Sequence, residues 1–242
     1  MLLFFLIYKD IAVYDVRIDW FNFLLTNYFF NLFFVLFCFL VLINGTNFID
    51  GNNGITLGYF SIIFVIIINL LNKNLIIYEE DYLIPILIIL IILLIFNLFN
   101  QLYLGDSGAY LLSLFSGYLL IDIFNQNQNI SPYFIVTIFW YPAFEILFSL
   151  IRKIRSKYSP LIPDTFHIHQ LLYLFYLKKI NLEKKILNSI TGVTINSFNG
   201  TIIYFASLNI YSTKFQILFL ATSLFFYLLT YYILFKFKND LS

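Results

Sequence analysis

Long apolar runs, cut by short clusters of asparagine, glycine, proline or charge, set the pattern of this chain. After a short run over Leu2–Tyr8 come seven longer ones, at 28–43, 55–71, 83–99, 108–124, 133–151, 186–209 and 215–235. Each is near the roughly 20 residues that an α-helix needs to cross the hydrocarbon core of a bilayer. Continuous apolar runs without strand alternation predict helices rather than a closed barrel. The expected fold is all-α: a polytopic membrane helix bundle in a single domain over residues 1–242, with about seven full transmembrane helices plus a partial N-terminal one. A further run at 171–177 is too short to span, and is expected along the interface or packed on the bundle.

Composition removes the alternatives. The 242 residues are 61% hydrophobic and only 11% charged, with mean hydropathy +0.88, whereas soluble domains carry about 25% charge. Disordered chains are polar and poor in aromatics, and 21% of these residues are Phe, Trp or Tyr. A net charge of +1 points neither to nucleic acid nor to an acidic partner. The single cysteine, Cys38, lies in an apolar run and reads as a small filler. The start, Met-Leu-Leu-Phe-Phe, has no basic leader or small-residue cleavage site, so no secretory signal is read there.

Basic residues are placed unevenly. Eight of the fourteen Lys and Arg (Arg152, Lys153, Arg155, Lys157, Lys178, Lys179, Lys184 and Lys185) fall in one loop at 152–185, and Lys236 and Lys238 follow the last run. Positive charge collects in short cytoplasmic loops, which assigns both segments to the cytoplasm. Counting spans backward places 44–54 and 100–107 on the same side. The basic residues also have a plain reading as topology determinants alone.

Three polar motifs then share that side. The first runs from Asn44 to Gly54, with Asn44, Asn47 and Asp50 recurring every three residues, so a helical turn would present them together. It could also be no more than a polar helix exit. The second is Leu-Gly-Asp106-Ser-Gly, with Asn97 and Asn100 upstream. Asp106 suits an oxygen site for a hard cation such as Mg²⁺, or equally a helix cap. The third runs from Arg152 to Gln170 and holds both histidines, His167 and His169, with Asp164. Two His and one Asp are a weak zinc pattern. Beside Arg and Lys they better suit an anionic diphosphate.

Two acids near or within spans stand apart. Glu145 follows Pro142 inside a span, where a carboxylate normally has a partner; Arg152, Lys153 or the site itself are candidates. Asp122, near the outer end of its span, reads as interfacial.

Taken together, the motifs resemble the polyprenyl-phosphate N-acetylhexosamine-1-phosphate transferase family, especially members that transfer GlcNAc-1-phosphate to undecaprenyl phosphate. Asn44, Asn47, Asp50, Gly51 and Gly54 match its Asn-x-x-Asn-x-x-Asp-Gly-x-x-Gly stretch, and Tyr103, Gly105, Asp106 and Gly108 its Gly-Asp-x-Gly stretch. Arg152, Arg155, Ser159, Pro160, Pro163, Asp164, His167 and His169 match its basic His-x-His-His segment. There are departures. Asn53 stands where many members have Asp, Gln170 replaces the last histidine, and Glu145 lengthens an acid that is often Asp. The family's Asp-Asp-x-x-Asp motif is not matched by Asp10, Asp15 and Asp19, and the chain looks N-terminally incomplete beside the family.

The resemblance implies an enzyme of the bacterial inner (plasma) membrane, with its active face cytoplasmic. It would transfer N-acetylhexosamine-1-phosphate from a UDP-sugar to undecaprenyl phosphate, release UMP and so initiate a cell-envelope glycan such as lipopolysaccharide. Implied roles are Asp106 as catalytic Mg²⁺ ligand (Mn²⁺ substituting) and Asp50 as catalytic residue placing metal or nucleotide. Asn44, Asn47 and Asn53 would bind nucleotide or sugar, and Arg152, Arg155, Asp164, His167 and His169 diphosphate and sugar. Implied partners are the UDP-N-acetylhexosamine, undecaprenyl phosphate, the lipid bilayer and a second copy in a homodimer, with no nucleic acid. The alternatives are a truncated or degenerate non-catalytic homologue and a transporter; the absence of an evident internal repeat disfavours transport.

Overall fold

The computed structural model describes residues 2–79, 81–155 and 165–240. These form the helices α1 Leu2–Tyr8, α2 Asp19–Leu25, α3 Tyr28–Ile49, α4 Ile55–Asn72, α5 Leu83–Leu98, α6 Gly105–Gln126, α7 Pro132–Ile138, α8 Trp140–Arg155, α9 Ile168–Lys179, α10 Lys184–Ser207 and α11 Thr213–Asn239. No strand occurs among the described residues. This is a multi-pass, all-helical membrane protein.

Every long apolar run is helical, one of them as two helices, but the spans are fewer than the pattern predicts. Among the described residues α3, α4, α6 and α11 are long and apolar enough to cross a membrane alone, and α7 with α8 would make a fifth span bent by 72°. The break has a local cause. Pro142 has no amide to give the carbonyl four residues back, that of Ile138, and the Tyr59 hydroxyl donates to this oxygen instead at 2.6 Å. The expected span at 133–151 is therefore two helices. α5 is apolar throughout but has 16 residues. α10 has 24 but carries too many Asn, Ser and Thr to pass as a free-standing span.

α4 is the hub. Ile55, Tyr59, Phe60, Ile63, Phe64 and Ile67 are wholly or almost wholly buried, and α4 packs between α5 and α10. α3 packs along α6 on one side and α8 on the other. The short 171–177 run lies within α9, which packs against α10 and α11.

A candidate site where three polar loops meet

The first motif spans the end of α3, the turn at 50–54 and the start of α4. Gly54 adopts φ +83° as the residue before α4, a conformation that side chains resist. Four asparagines from elsewhere fasten this turn. Asn97 Oδ1 accepts from the Gly54 amide at 2.5 Å, while its Nδ2 donates to the Leu102 carbonyl at 2.8 Å. Asn53 Nδ2 donates to Asn100 Oδ1 at 2.8 Å. Asn196 Nδ2 of α10 donates to the carbonyls of Gly54 at 2.6 Å and Ile55 at 3.1 Å, and Asn52 bonds Asn188. The first motif, the loop before the second and the start of α10 are one hydrogen-bonded unit.

Asp50 follows α3 and is half-buried, whereas Asp106 is exposed in the first turn of α6. Burial pushes the Asp50 carboxyl up to about 6, and the negative charge of Asp106 adds to the rise. The Thr56 hydroxyl and Gly105 amide oppose it. Neither acid forms an ion pair among the described residues. No group of three or more His, Cys, Asp or Glu is placed to hold a metal among those residues, so a complete protein cage is absent there. Two unpaired carboxylates beside each other do fit Mg²⁺, which is commonly held by one or two carboxylates with water and substrate phosphates.

The third motif closes over the first. A Cβ on Gly51 would overlap Nε2 of His169, so only glycine lets that imidazole lie against the turn. His169 is 1% exposed, its Nδ1 has no hydrogen-bond partner, and burial lowers its pKa to about 4. His167 and His169 stack at 5.6 Å between centroids, and Phe48 lies 5.2 Å from the His167 ring. His167 Nδ1 is 2.9 Å from Glu145 Oε1, and the Tyr227 hydroxyl donates to Glu145 Oε2 at 2.6 Å. Glu145 thus finds its partners in the site itself, in His167 and Tyr227. Gln170, standing where the family has a histidine, accepts from the His167 amide at 3.4 Å and so caps α9.

The remaining candidates divide. Asn47 Nδ2 reaches the Tyr110 hydroxyl at 3.5 Å. Asn44 turns back on its own helix and donates to the Leu40 carbonyl at 2.7 Å. The Arg152 guanidinium lies 5.4 Å from the Phe166 ring centre, and Arg155 is exposed at the end of α8. Asp164, with Ser159, Pro160 and Pro163, lies outside the described residues. Sequence reasoning missed Tyr227, Asn188 and Asn196. The polar stripe Asn188, Thr191, Gly192, Asn196, Asn199, recurring every three or four residues through an apolar run, was the available signal for α10; nothing local marks Tyr227.

Comparisons with known proteins bear on the family of the chain. A decaprenyl-phosphate N-acetylglucosaminephosphotransferase of Mycolicibacterium smegmatis (strain ATCC 700084 / mc(2)155) is 27% identical over 155 residues, covering 54% of this chain and 37% of that protein. The chain thus matches well under half the length of that curated relative. No solved structure matches. The family model described as glycosyl transferase family 4 matches residues 1–124, which include Asp50 and Asp106 and all of the fastened turn except its α10 anchors. By that match over half its length, the chain belongs to glycosyl transferase family 4.

Proposed function

We propose that this protein takes part in transferring N-acetylhexosamine-1-phosphate, GlcNAc-1-phosphate first among the candidates, from a UDP-sugar to undecaprenyl phosphate. The observation that carries this reading is the pair Asp50 and Asp106, unpaired by any described cation and drawn from separate elements onto one face with the two histidines. In the reaction an oxygen of the lipid phosphate forms a bond to the β-phosphorus of the UDP-sugar. The bond from that phosphorus to the bridging oxygen breaks, and UMP leaves. Both reactants are anions, so their approach must be offset by positive charge.

Asp106, with Asp50 beside it, would hold Mg²⁺, which when bound supplies that offset at the diphosphate. Arg152, Arg155 and His167 would bind phosphate oxygens. Asn47 would donate to nucleotide or sugar, and Asn53, whose amide donates to Asn100, would hold the turn beside them. Glu145 and Tyr227 would fix the ring orientation of His167. The active face would be the cytoplasmic one, because it carries the basic loop. The likeness to a decaprenyl-phosphate N-acetylglucosaminephosphotransferase supports the same substrate classes.

The test is direct. Membranes holding the protein, given UDP-GlcNAc, Mg²⁺ and undecaprenyl phosphate, should form UMP and lipid-linked sugar in equal amounts. Absence of both products across the common UDP-N-acetylhexosamines would overturn the reading.

A further inference from the structure

The turn between α9 and α10 stands out among the described residues. Residues 178–186 are all exposed, nine in a row. They hold four lysines, Lys178, Lys179, Lys184 and Lys185, against one acid, Glu183. Between and beside the lysine pairs stand three aliphatic side chains, Ile180 at 37%, Leu182 at 49% and Ile186 at 46% exposure. A turn meant only for water would not expose three such groups together. Lys184 and Lys185 also open α10, the helix end where positive charge is disfavoured. Helix stability therefore does not explain them.

The turn is also held in place. The Tyr173 hydroxyl donates to the Lys184 carbonyl at 3.4 Å, and the Tyr176 and Thr194 hydroxyls bond at 3.1 Å. Lys179 lies 5.7 Å from the ring centre of Phe237 near the end of α11, a helix that crosses the membrane. With 24 residues, α10 is about 36 Å long, against a hydrocarbon core of about 30 Å. If its far end reaches the opposite interface, its first turn stands at the level of the lipid headgroups.

We propose that this turn is an anionic-lipid anchor, with Ile180, Leu182 and Ile186 set into the headgroup–acyl boundary and the four lysines on the phosphates of acidic phospholipids. Paired lysines around an apolar tip match that layer, which offers hydrocarbon below and negative charge above. The anchor fixes the distance between α9, which carries His169, and the membrane surface.

The experiment does not depend on any transferase activity. Cys38→Ala with Leu182→Cys gives one thiol, labelled with an environment-sensitive fluorophore in nanodiscs of equimolar phosphatidylcholine and phosphatidylglycerol. Trace spin-labelled phosphatidylglycerol should quench it more strongly than spin-labelled phosphatidylcholine. Each lysine is expected to contribute roughly fivefold to local enrichment of the acidic lipid. Replacing all four by glutamine should therefore remove the preference while the apolar quenching persists. Salt at about 1 M, where the screening length is about 3 Å, should reduce the preference in the unmodified turn, a check that needs no folded variant. Equal quenching by both lipids, no quenching by either, or a preference that survives the four replacements would overturn the proposal.

Discussion

The two ends of the bundle are built from similar residues put to different use. At the end away from the three motifs, polar side chains close loops. Asn127 accepts from the Ile77 amide at 2.8 Å and donates to the carbonyls of Ile77 and Ile123 at 2.8 and 2.7 Å. Ser131 bonds Thr213 at 2.9 Å, and Gln216 donates to Ala206 and Asn209 across the α10–α11 turn at 2.8 and 2.9 Å. Two of the acids there are held, Asp15 by Arg17 at 2.9 Å and Asp122 by the Tyr78 hydroxyl at 3.1 Å. At the motif end, asparagines do the same work for the 50–54 turn, but Asp50 and Asp106 have no ion-pair partner among the described residues and the Nδ1 of His169 has no hydrogen bond. Groups left without a counter-charge or a hydrogen bond mark where a ligand would supply one.

If that contrast is sound, the largest separation of activity from stability belongs to Asp106. Asp106→Ala should lower turnover by about 100-fold or more, the scale expected when a charge-stabilising group is lost. Its melting temperature should change little, because the side chain is exposed and unpaired. Wild-type turnover would remove it from the site. Gly51→Ala comes next. Its new methyl meets a buried ring, so overpacking of about 1–3 kcal/mol is expected. A melting curve checks this, and an unchanged one would show that His169 does not lie on the turn.

How far the sequence carries this picture differs by element. The apolar runs set the helices, and counting them from the basic loop puts 44–54, 100–107 and 152–170 at one end, where Asn53–Asn100 and Gly51–His169 join them. Two things were not readable. The fold at Phe139 lies inside an apolar run where neighbouring Thr137 gives no sign of a break, and its one trace, Pro142, takes effect only because Tyr59 from another helix satisfies Ile138. Glu145 has Arg152 two turns away on its own helix, so a neighbour looked sufficient. Its acceptor sites went instead to residues 22 and 82 positions on, a choice made by how α8 and α11 pack rather than by spacing.

The histidine end also sets a pH response. His169 is held neutral by burial, with Glu145 pulling its pKa up and His167 pushing it down. Its folded value of about 4 lies below the ordinary 6.5, so between them the unfolded chain binds the extra proton. Stability from this group is therefore full above about pH 6.5 and falls as pH drops toward about 4. A melting temperature that declines through this window, and declines less in His169→Gln, is the expected result. Tyr227→Phe should act more weakly, costing about 2 kcal/mol for one hydrogen bond to a charged group. If Tyr227 positions His167 it should also alter the pH profile of turnover, which loss of packing alone would not do.

The smallest effect is the control that could break the comparison altogether. Asn127→Ala removes three hydrogen bonds, but Asn127 is only partly buried and the Ile77 backbone it holds is near solvent, so water replaces much of what is lost. About 1 kcal/mol of destabilisation is expected, seen as a small fall in melting temperature. Turnover per folded molecule and the Mg²⁺ concentration giving half-maximal rate should stay as they are, because the loop lies at the far end from Asp50 and Asp106. Were Asn127→Ala to shift the Mg²⁺ requirement, as is expected of Asp50→Asn, the two ends would be coupled through α6, which carries Asp106 in its first turn and has Asn127 as its C-cap. The division into a closing end and a chemical end would then fail.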